Sequence, residues 1–427
     1  VRLAFVSPLP PAATGIADYC ADLVARLASR HEIELFHGQG EVDLARLPAS
    51  CPVRSAAELL ACHRARPYDV VVHQLGNAPA HAFQYDLVAR APGLLVLHDL
   101  VLFHSRAAAF LDSPTVRAWR DSPESRERHA AARPVLDAWR EELGYSYPTA
   151  GERLYAAHLG TVGDLLPYAY PLFRIPVEAS RAVAVHDPFL ADAIRDEVPG
   201  ATVAVVPMPI GPAAVGSEDA ARLRARLGFG PRDVVVATFG LVTKEKRLAT
   251  IARAVAAGDS HLRLLVVGPV ADPAAVDRLL DEAGVRARTV VTGRVPFEEL
   301  AVHAAAADVV VHLRYPTGRE TSAALLRVLA QGRPAIVSDL CHQAALPEDA
   351  VVRVDLAHEE ASLTRALESL VADPDRRRRL GRTAAEYVAT AHGEPRVTSA
   401  WEEALLLARR ASVPVPRAWP AHWPRPA

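Results

Sequence analysis

One pattern constrains this chain more than any other: short apolar runs alternate with helical stretches, and the alternation runs through the sequence twice. Val1–Ser7 is an apolar run ended by Pro8, and the loop PLPPAATG then leads into a helix. In that helix Ile16, Tyr19, Cys20, Leu23, Val24 and Leu27 recur at the three-and-four spacing of one buried face. Further runs follow at Ile33–Phe36, Asp69–Val72 and Leu94–Leu97, and, after a long Arg- and Ala-rich helical region over 101–175, at Ala182–Val185 and Val203–Val206. The pattern restarts at Asp233 with DVVVATFG and continues through Leu262–Val267, Thr289–Val291, Val309–Leu313 and Pro334–Val337. Helical periods follow these runs from Ile251 and over Ala274–Ala283, Phe297–Ala306 and Ala323–Ala330. Runs that are apolar without polar alternation suit a parallel sheet covered on both faces, and strand–helix alternation implies right-handed βαβ units. The expected class is α/β, with two doubly wound Rossmann-like domains.

Length agrees, since 427 residues suit two domains of about 200 each. The sequence places the first over 1–207, carrying the helical insertion at 101–175, and the second over 208–411, with a proline-rich linker at Pro207–Pro212. The last helix, about 396–410, is free to pack back on the first domain. The segment SVPVPRAWPAHWPRPA, 412–427, has no apolar period and reads as a disordered or loosely docked tail. Half of the residues are apolar and 23% are charged, which suits globular cores. A net charge of -2, with the cations spread out, gives no field for a phosphate backbone, so nucleic acid is not an expected partner. Cys20, Cys51, Cys62 and Cys341 lack metal-ligand spacing and fit a reducing cytoplasm. No apolar window is long enough to cross a bilayer, and Val1–Val6 lacks a signal peptide's basic flank; peripheral membrane contact is left open.

In doubly wound sheets ligands collect at the carboxyl ends of strands, where helix N-termini favour anions. Gly15 opens a helix after the first strand, but its loop is not GxGxxG, and a plain turn glycine of positive φ is the other reading. In TFGLVTKEKR, Gly240 ends a strand while Lys244, Lys246 and Arg247 stand at a helix entrance, where cations oppose the dipole unless an anion joins them. A diphosphate would resolve that conflict; a solvated face is the alternative. In RYPTGRETSAALLRVLAQGRP, Thr321 and Ser322 can cap a helix, and Glu320 can accept hydrogen bonds from sugar hydroxyls. The first half adds His73, Gly76, Asn77, His98, Asp99 and His104 just past strand ends, as cleft-lining or structural groups, with His98 favoured because Asp99 follows it. Trp119, Trp139, Tyr145 and Tyr147 in the helical region could stack on a sugar, although packing suits them better.

Together TFGLVTKEKR, LLVVGP, VVTGRVPFEELAVHAAAADVVVHLR and ETSAALLRVLAQGRPAIVSD resemble the retaining glycosyltransferases of family 4, and PLPPAATGIADYCADLV and VLHDLVLFH agree. The resemblance covers nearly the whole chain, most weakly over 101–175. It implies the GT-B fold, with two Rossmann-like domains facing across a donor cleft. Residue by residue, it implies that Lys246 contacts the donor diphosphate, with Gly15 near the same phosphates. Arg294 and Val295 would meet the base, His98 would lie near the transferred sugar, and Glu320 would be the carboxylate facing that sugar. Leu241 stands where the family usually has an arginine, so charge neutralisation rests on Lys246 with Lys244, Arg247 or Arg314. Arg319 and Arg327 occupy the positions of the family's two glutamates, with Glu320 displaced by one.

The implied reaction moves a sugar from a nucleoside diphosphate to an unidentified acceptor hydroxyl with retention, without a cofactor or metal ion. The alternatives are a sugar-nucleotide epimerase of the same architecture and a catalytically silent nucleotide-sugar-binding protein. The absence of a glycine fingerprint counts against a nicotinamide enzyme.

Overall fold

The computed structural model describes residues 1–160, 165–211, 215–414 and 419–426, so Pro212 of the expected linker and 415–418 of the tail lie outside the described residues. The chain divides into two compact units. The first comprises Val1–Pro209, Gly318–Glu320 and Val397–Ala427; the second comprises Ile210–Thr317 and Thr321–Arg396. These bounds depart from the sequence-drawn ones at three places: the junction, the short segment around Arg319, and the last helix with its tail.

The first unit is built on a parallel sheet of seven strands: β1 (Arg2–Val6), β2 (Glu32–His37), β3 (Val53–Ser55), β4 (Val70–Leu75), β5 (Leu94–Leu97), β6 (Ala182–Val185) and β7 (Val203–Val205), in the order β3-β2-β1-β4-β5-β6-β7. Every residue of β4 and of β5 is buried, as a strand covered on both faces requires. The edge strand β3 escapes the sequence reading because it is three residues long, two of them exposed. Thr14 caps the first helix, Gly15–Leu27, its hydroxyl accepting from the Ile16 N–H at 3.2 Å. Tyr19, Cys20, Leu23, Val24 and Leu27 are on its buried side.

The region after β5 folds into helices that include Phe103–Leu111, Arg126–Ser146 and Gly151–Leu159, around a core of its own formed by Phe110, Trp139, Leu143 and Leu154. Its aromatic residues pack: Trp139 is wholly buried, and the Tyr147 hydroxyl accepts from the Leu172 N–H at 2.8 Å.

The proline-rich tail corrects the expectation of a disordered or loosely docked segment. Trp419 and Trp423 are buried in the same cluster as Tyr85, Leu97 and Phe173. The Trp423 indole N–H donates to Glu142 at 2.9 Å, and His422 Nε2 lies 2.8 Å from the same carboxylate oxygen. Arg106 completes the cluster with two 2.6 Å hydrogen bonds to Glu142 and a guanidinium 4.5 Å from the Trp423 ring centroid. Burial pushes the Glu142 carboxyl up, but Arg106 and His422 outweigh it and hold the group down at about 2. Proline content hid two large apolar side chains whose removal costs about 3–5 kcal/mol each in well-packed cores.

The second unit has six parallel strands: β8 (Val234–Phe239), β9 (Leu262–Val267), β10 (Thr289–Gly293), β11 (Val309–His312), β12 (Ala335–Ser338) and β13 (Val351–Val354), in the order β10-β9-β8-β11-β12-β13. The edge strand β13 was not foreseen, since Arg353 interrupts its apolar run. Both sheets therefore reverse strand order near the middle, between β1 and β4 in one and between β8 and β11 in the other. Those are the switch points at which this architecture opens a crevice outside the strand ends.

Candidate functional site

At the switch point of the second unit, β8 ends at Phe239 and the chain turns through Gly240 with φ of +95°. Lys246 folds back over that glycine, 8% exposed, and its ammonium donates to the Phe239 carbonyl. A Cβ at position 240 would occupy the place of the lysine Nζ, so glycine is needed both for the backbone angle and for the cation's path. Gly268, just past β9, has φ of +145° and lies so close to the Gly240 carbonyl that any side chain would strike it. The Gly268 N–H donates in turn to the Gly293 carbonyl at the end of β10, at 3.0 Å. Three adjacent strands thus end on glycines, with the Gly240 and Gly268 N–H groups tied to the neighbouring strand ends at 2.8 and 3.0 Å.

The other sequence candidates of this unit separate around that rim. Lys244 shares the single turn Lys244–Lys246, which precedes the helix Leu248–Ala257. Arg247, in the left-handed conformation at φ 57°, is paired with the buried Glu359 carboxylate at 2.8 Å. It anchors the helix start to the helix Glu359–Ala372, a partner 112 residues away that spacing could not reveal. Ser322 caps Ala323–Ala330, its hydroxyl accepting from the Leu325 N–H at 3.3 Å, with Thr321 buried beside it. Arg294 is exposed after β10, and Val295 packs on the unit's core. The Arg314 N–H donates to Ser338 Oγ at 2.9 Å, which ties the exit of β11 to the end of β12.

Two buried histidines went unnoticed in the sequence: His312, 3% exposed at the end of β11, and His342, 4% exposed on the short helix Cys341–Ala344 after β12. Burial drives His312 well below its ordinary range, and the charges of Arg314, Lys246 and His342 push it the same way. A histidine at the end of a buried strand, two residues before an arginine, was the available signal.

The switch point of the first unit is chemically different. Gly15 is the first residue of its helix and not a turn glycine of positive φ, and nothing lies within 4 Å of where its Cβ would be. His98 is 5% exposed, and both its ring nitrogens are engaged: Nε2 lies 2.7 Å from Gln74 Oε1, and Nδ1 lies 3.0 Å from His186 Nε2. His186 Nδ1 reaches the Val206 carbonyl at 2.9 Å and must be the donor there. Burial, then His186 and His81, push the His98 ring far below its ordinary range. His73 is wholly buried with Nε2 2.9 Å from the Ala91 carbonyl, so it packs inside the sheet and lines no cleft. Asn77, Asp99 and His104 do come together. The Asn77 N–H donates to Asp99 at 3.1 Å, the His104 N–H to the Asn77 side-chain oxygen at 2.9 Å, and the Asn77 amide nitrogen lies 2.9 Å from His104 Nδ1. Glu320 belongs to this unit, and its carboxylate and that of Asp99 lie 3.1 and 3.8 Å from the Cβ position of Gly318.

Among the described residues no three His, Cys, Asp or Glu side chains converge as a metal site would, and no helix is long and apolar enough to cross a membrane.

Residues 232–373 match the family described as glycosyl transferases group 1, a stretch that contains the whole rim from Gly240 to His342. That match spans the strands of the second unit's sheet. A search of curated proteins gives no match. Among solved structures, the chain is similar to sucrose-phosphate synthase from Thermosynechococcus elongatus, at 19% identity and a TM-score of 0.63 over 95% of this chain and 96% of the other. It is also similar to WaaG, a glycosyltransferase involved in lipopolysaccharide biosynthesis (14%, 0.61, 95% and 99%). A third is Anabaena Alr3699/HepE in complex with UDP-glucose (14%, 0.63, 94% and 98%). At these identities the likeness establishes the fold, which is GT-B.

Proposed function

We propose that the chain transfers a hexosyl group, with retention, from a nucleoside diphosphate sugar to an acceptor hydroxyl, and that the donor diphosphate sits at the β8–β11 switch point of the second unit. The observation that carries this reading is Lys246: a buried ammonium drawn across Gly240 onto the Phe239 carbonyl, at a rim of three strand-end glycines. A buried cation at the carboxyl ends of the strands fits an anion, and the resemblance names a diphosphate.

The chemistry follows from charge. As the bond from the anomeric carbon to the diphosphate oxygen breaks, negative charge grows on the leaving group, and Lys246 and Arg314 would stabilise it. The acceptor oxygen bonds to the anomeric carbon from the face the diphosphate leaves, and the departing phosphate takes the acceptor's proton. Lys244 would add long-range charge. Ser322, Thr321 and the helix they precede would order the donor loop, and Arg294 and Val295 would border the base. In this reading Glu320 binds sugar hydroxyls. With both ring nitrogens engaged, His98 fixes the end of β5 and is a positioning residue, not a proton carrier.

Because Anabaena Alr3699/HepE is described with UDP-glucose, uridine donors are tested first. Purified protein is screened by thermal shift against UDP, GDP, ADP and TDP and their sugar conjugates, since a ligand of the folded state raises the melting temperature. A nucleoside diphosphate that stabilises the wild type but not Lys246→Ala supports the site. Stabilisation by none of them overturns it. Product NMR with candidate acceptors then reads the anomeric configuration; turnover without acceptor indicates an epimerase, and binding without turnover a silent binder.

A further inference from the structure

The parallel register sets His312 in the seat assigned to the diphosphate. β11 pairs with β8 through Val309↔Val236 and Val310↔Ala237, and two residues further along that register His312 falls beside Phe239, whose carbonyl receives Lys246. On its other side His312 is directly paired with Val337, next to Ser338, whose hydroxyl receives the Arg314 N–H. Three neighbouring strand ends, β8, β11 and β12, therefore carry Lys246, His312 and the Arg314–Ser338 link, and His342 follows β12 on its short helix. Side chains alternate along β11: Val309, Val311 and Leu313 enter one core cluster, while Val310 enters the other with Phe239. His312 follows the parity of Val310.

His312 is 3% exposed, and its Nε2 is buried without a hydrogen-bond partner among the described residues. An unsatisfied buried polar atom is costly and persists where another demand holds it. The charged groups acting on it are Arg314 on the exit of β11, Lys246 on the turn after β8, and His342 after β12, all basic. Burial, the charges of Arg314 and Lys246, and His342 disfavour a further positive charge on His312 while the seat is empty. A multiply charged anion reverses that balance.

We propose that His312 is a proton-coupled ligand of the donor diphosphate, neutral in the empty seat and protonated when a diphosphate fills it, so that donor binding draws a proton from solvent. The imidazolium adds a charge-assisted hydrogen bond to the anion. After the sugar is transferred the diphosphate keeps its charge, and higher pH, by withdrawing the proton, weakens its hold. This rests on the diphosphate reading of the same site.

The test is titration calorimetry of the whole protein with UDP, GDP and TDP in buffers of different ionisation heat, at pH 7.5, above the terminal phosphate's own ionisation near pH ~6. The dependence of the measured heat on the buffer counts the protons taken up. The wild type is expected to take up about one proton per bound diphosphate, with affinity falling up to about tenfold per pH unit above neutrality. His312→Gln is expected to bind about tenfold more weakly, without proton uptake and with a flat pH dependence. Binding to the wild type without uptake overturns the proposal, with no need for a variant. So does uptake that survives in His312→Gln, which would move the proton to another group such as His342. Either result leaves the diphosphate site standing, whereas failure of all three probes to bind the wild type removes that site and this inference together.

Discussion

The two switch points share a topology and differ in charge. At β8–β11 the strand ends carry Lys246, Arg314, His312 and His342, every one basic, around a glycine-lined rim. At β1–β4, and on the neighbouring β5, stand Asp99, Asn77 and a hydrogen-bonded chain from Gln74 through His98 and His186 to Val206, with Glu320 joining from its own segment. Strand order fixes where a crevice opens; the side chains at its mouth fix what enters. The contrast fits an anionic donor on one sheet and a hydroxyl-bearing partner on the other.

The most damaging test of the contrast is Lys246→Ala. Removing a buried charge from an ionic contact costs about 2–5 kcal/mol, so nucleoside diphosphate affinity should fall by about a hundredfold or more, read by calorimetry. Undiminished affinity would mean that the basic rim is structural and that the two switch points do not differ in function.

Acid should next distinguish the units. Burial lowers His73, His81 and His158 of the first unit to about 4 and drives His98 well below its ordinary range; in the second unit burial drives His312 the same way. A histidine depressed in the fold leaves the unfolded chain binding more protons below pH about 6.5. Its contribution is whole above that pH and is lost as pH falls towards the folded value, at roughly 1.4 kcal/mol per pH unit for each group. Between pH 6.5 and 4.5 the first unit should therefore lose protection in hydrogen exchange well before the second; simultaneous loss would refute the asymmetry.

Smaller effects sharpen the picture within the basic rim. Ser322→Ala removes a helix cap and should cost about 1 kcal/mol in denaturant melts. Arg247→Ala should leave diphosphate affinity within about threefold, because the guanidinium is spent on Glu359; a larger loss would return Arg247 to the binding set.

The sequence reveals the central strands because burial on both faces demands unbroken Val, Ile and Leu, as in β4, β6 and β9. It hides β3 and β13, whose edge positions admit Arg54 and Arg353. Gly240 and Lys246 can be read as a pair because they are six residues apart. Arg247 misleads, since its carboxylate partner is 112 residues away. His312 and His342 come from different strand ends and share no spacing, so only pairing of β11 with β12 unites them. His98 is visible at a strand terminus, but its partners Gln74 and His186 are 24 and 88 residues distant.

The return of the chain after Arg396 governs the order in which the molecule can be made. The helix Glu394–Arg410 buries Trp401 against the first unit, its ring 6.3 Å from that of Phe5, and Arg409 pairs with Asp69 at 3.2 Å. Trp419 and Trp423 close a cluster begun with Leu75 and Tyr85. During synthesis the first sheet must therefore wait, its apolar face uncovered, until the whole second unit has left the ribosome. The unit translated first is completed last, and a nascent chain stalled anywhere between the two exposes surface that a chaperone has to shield.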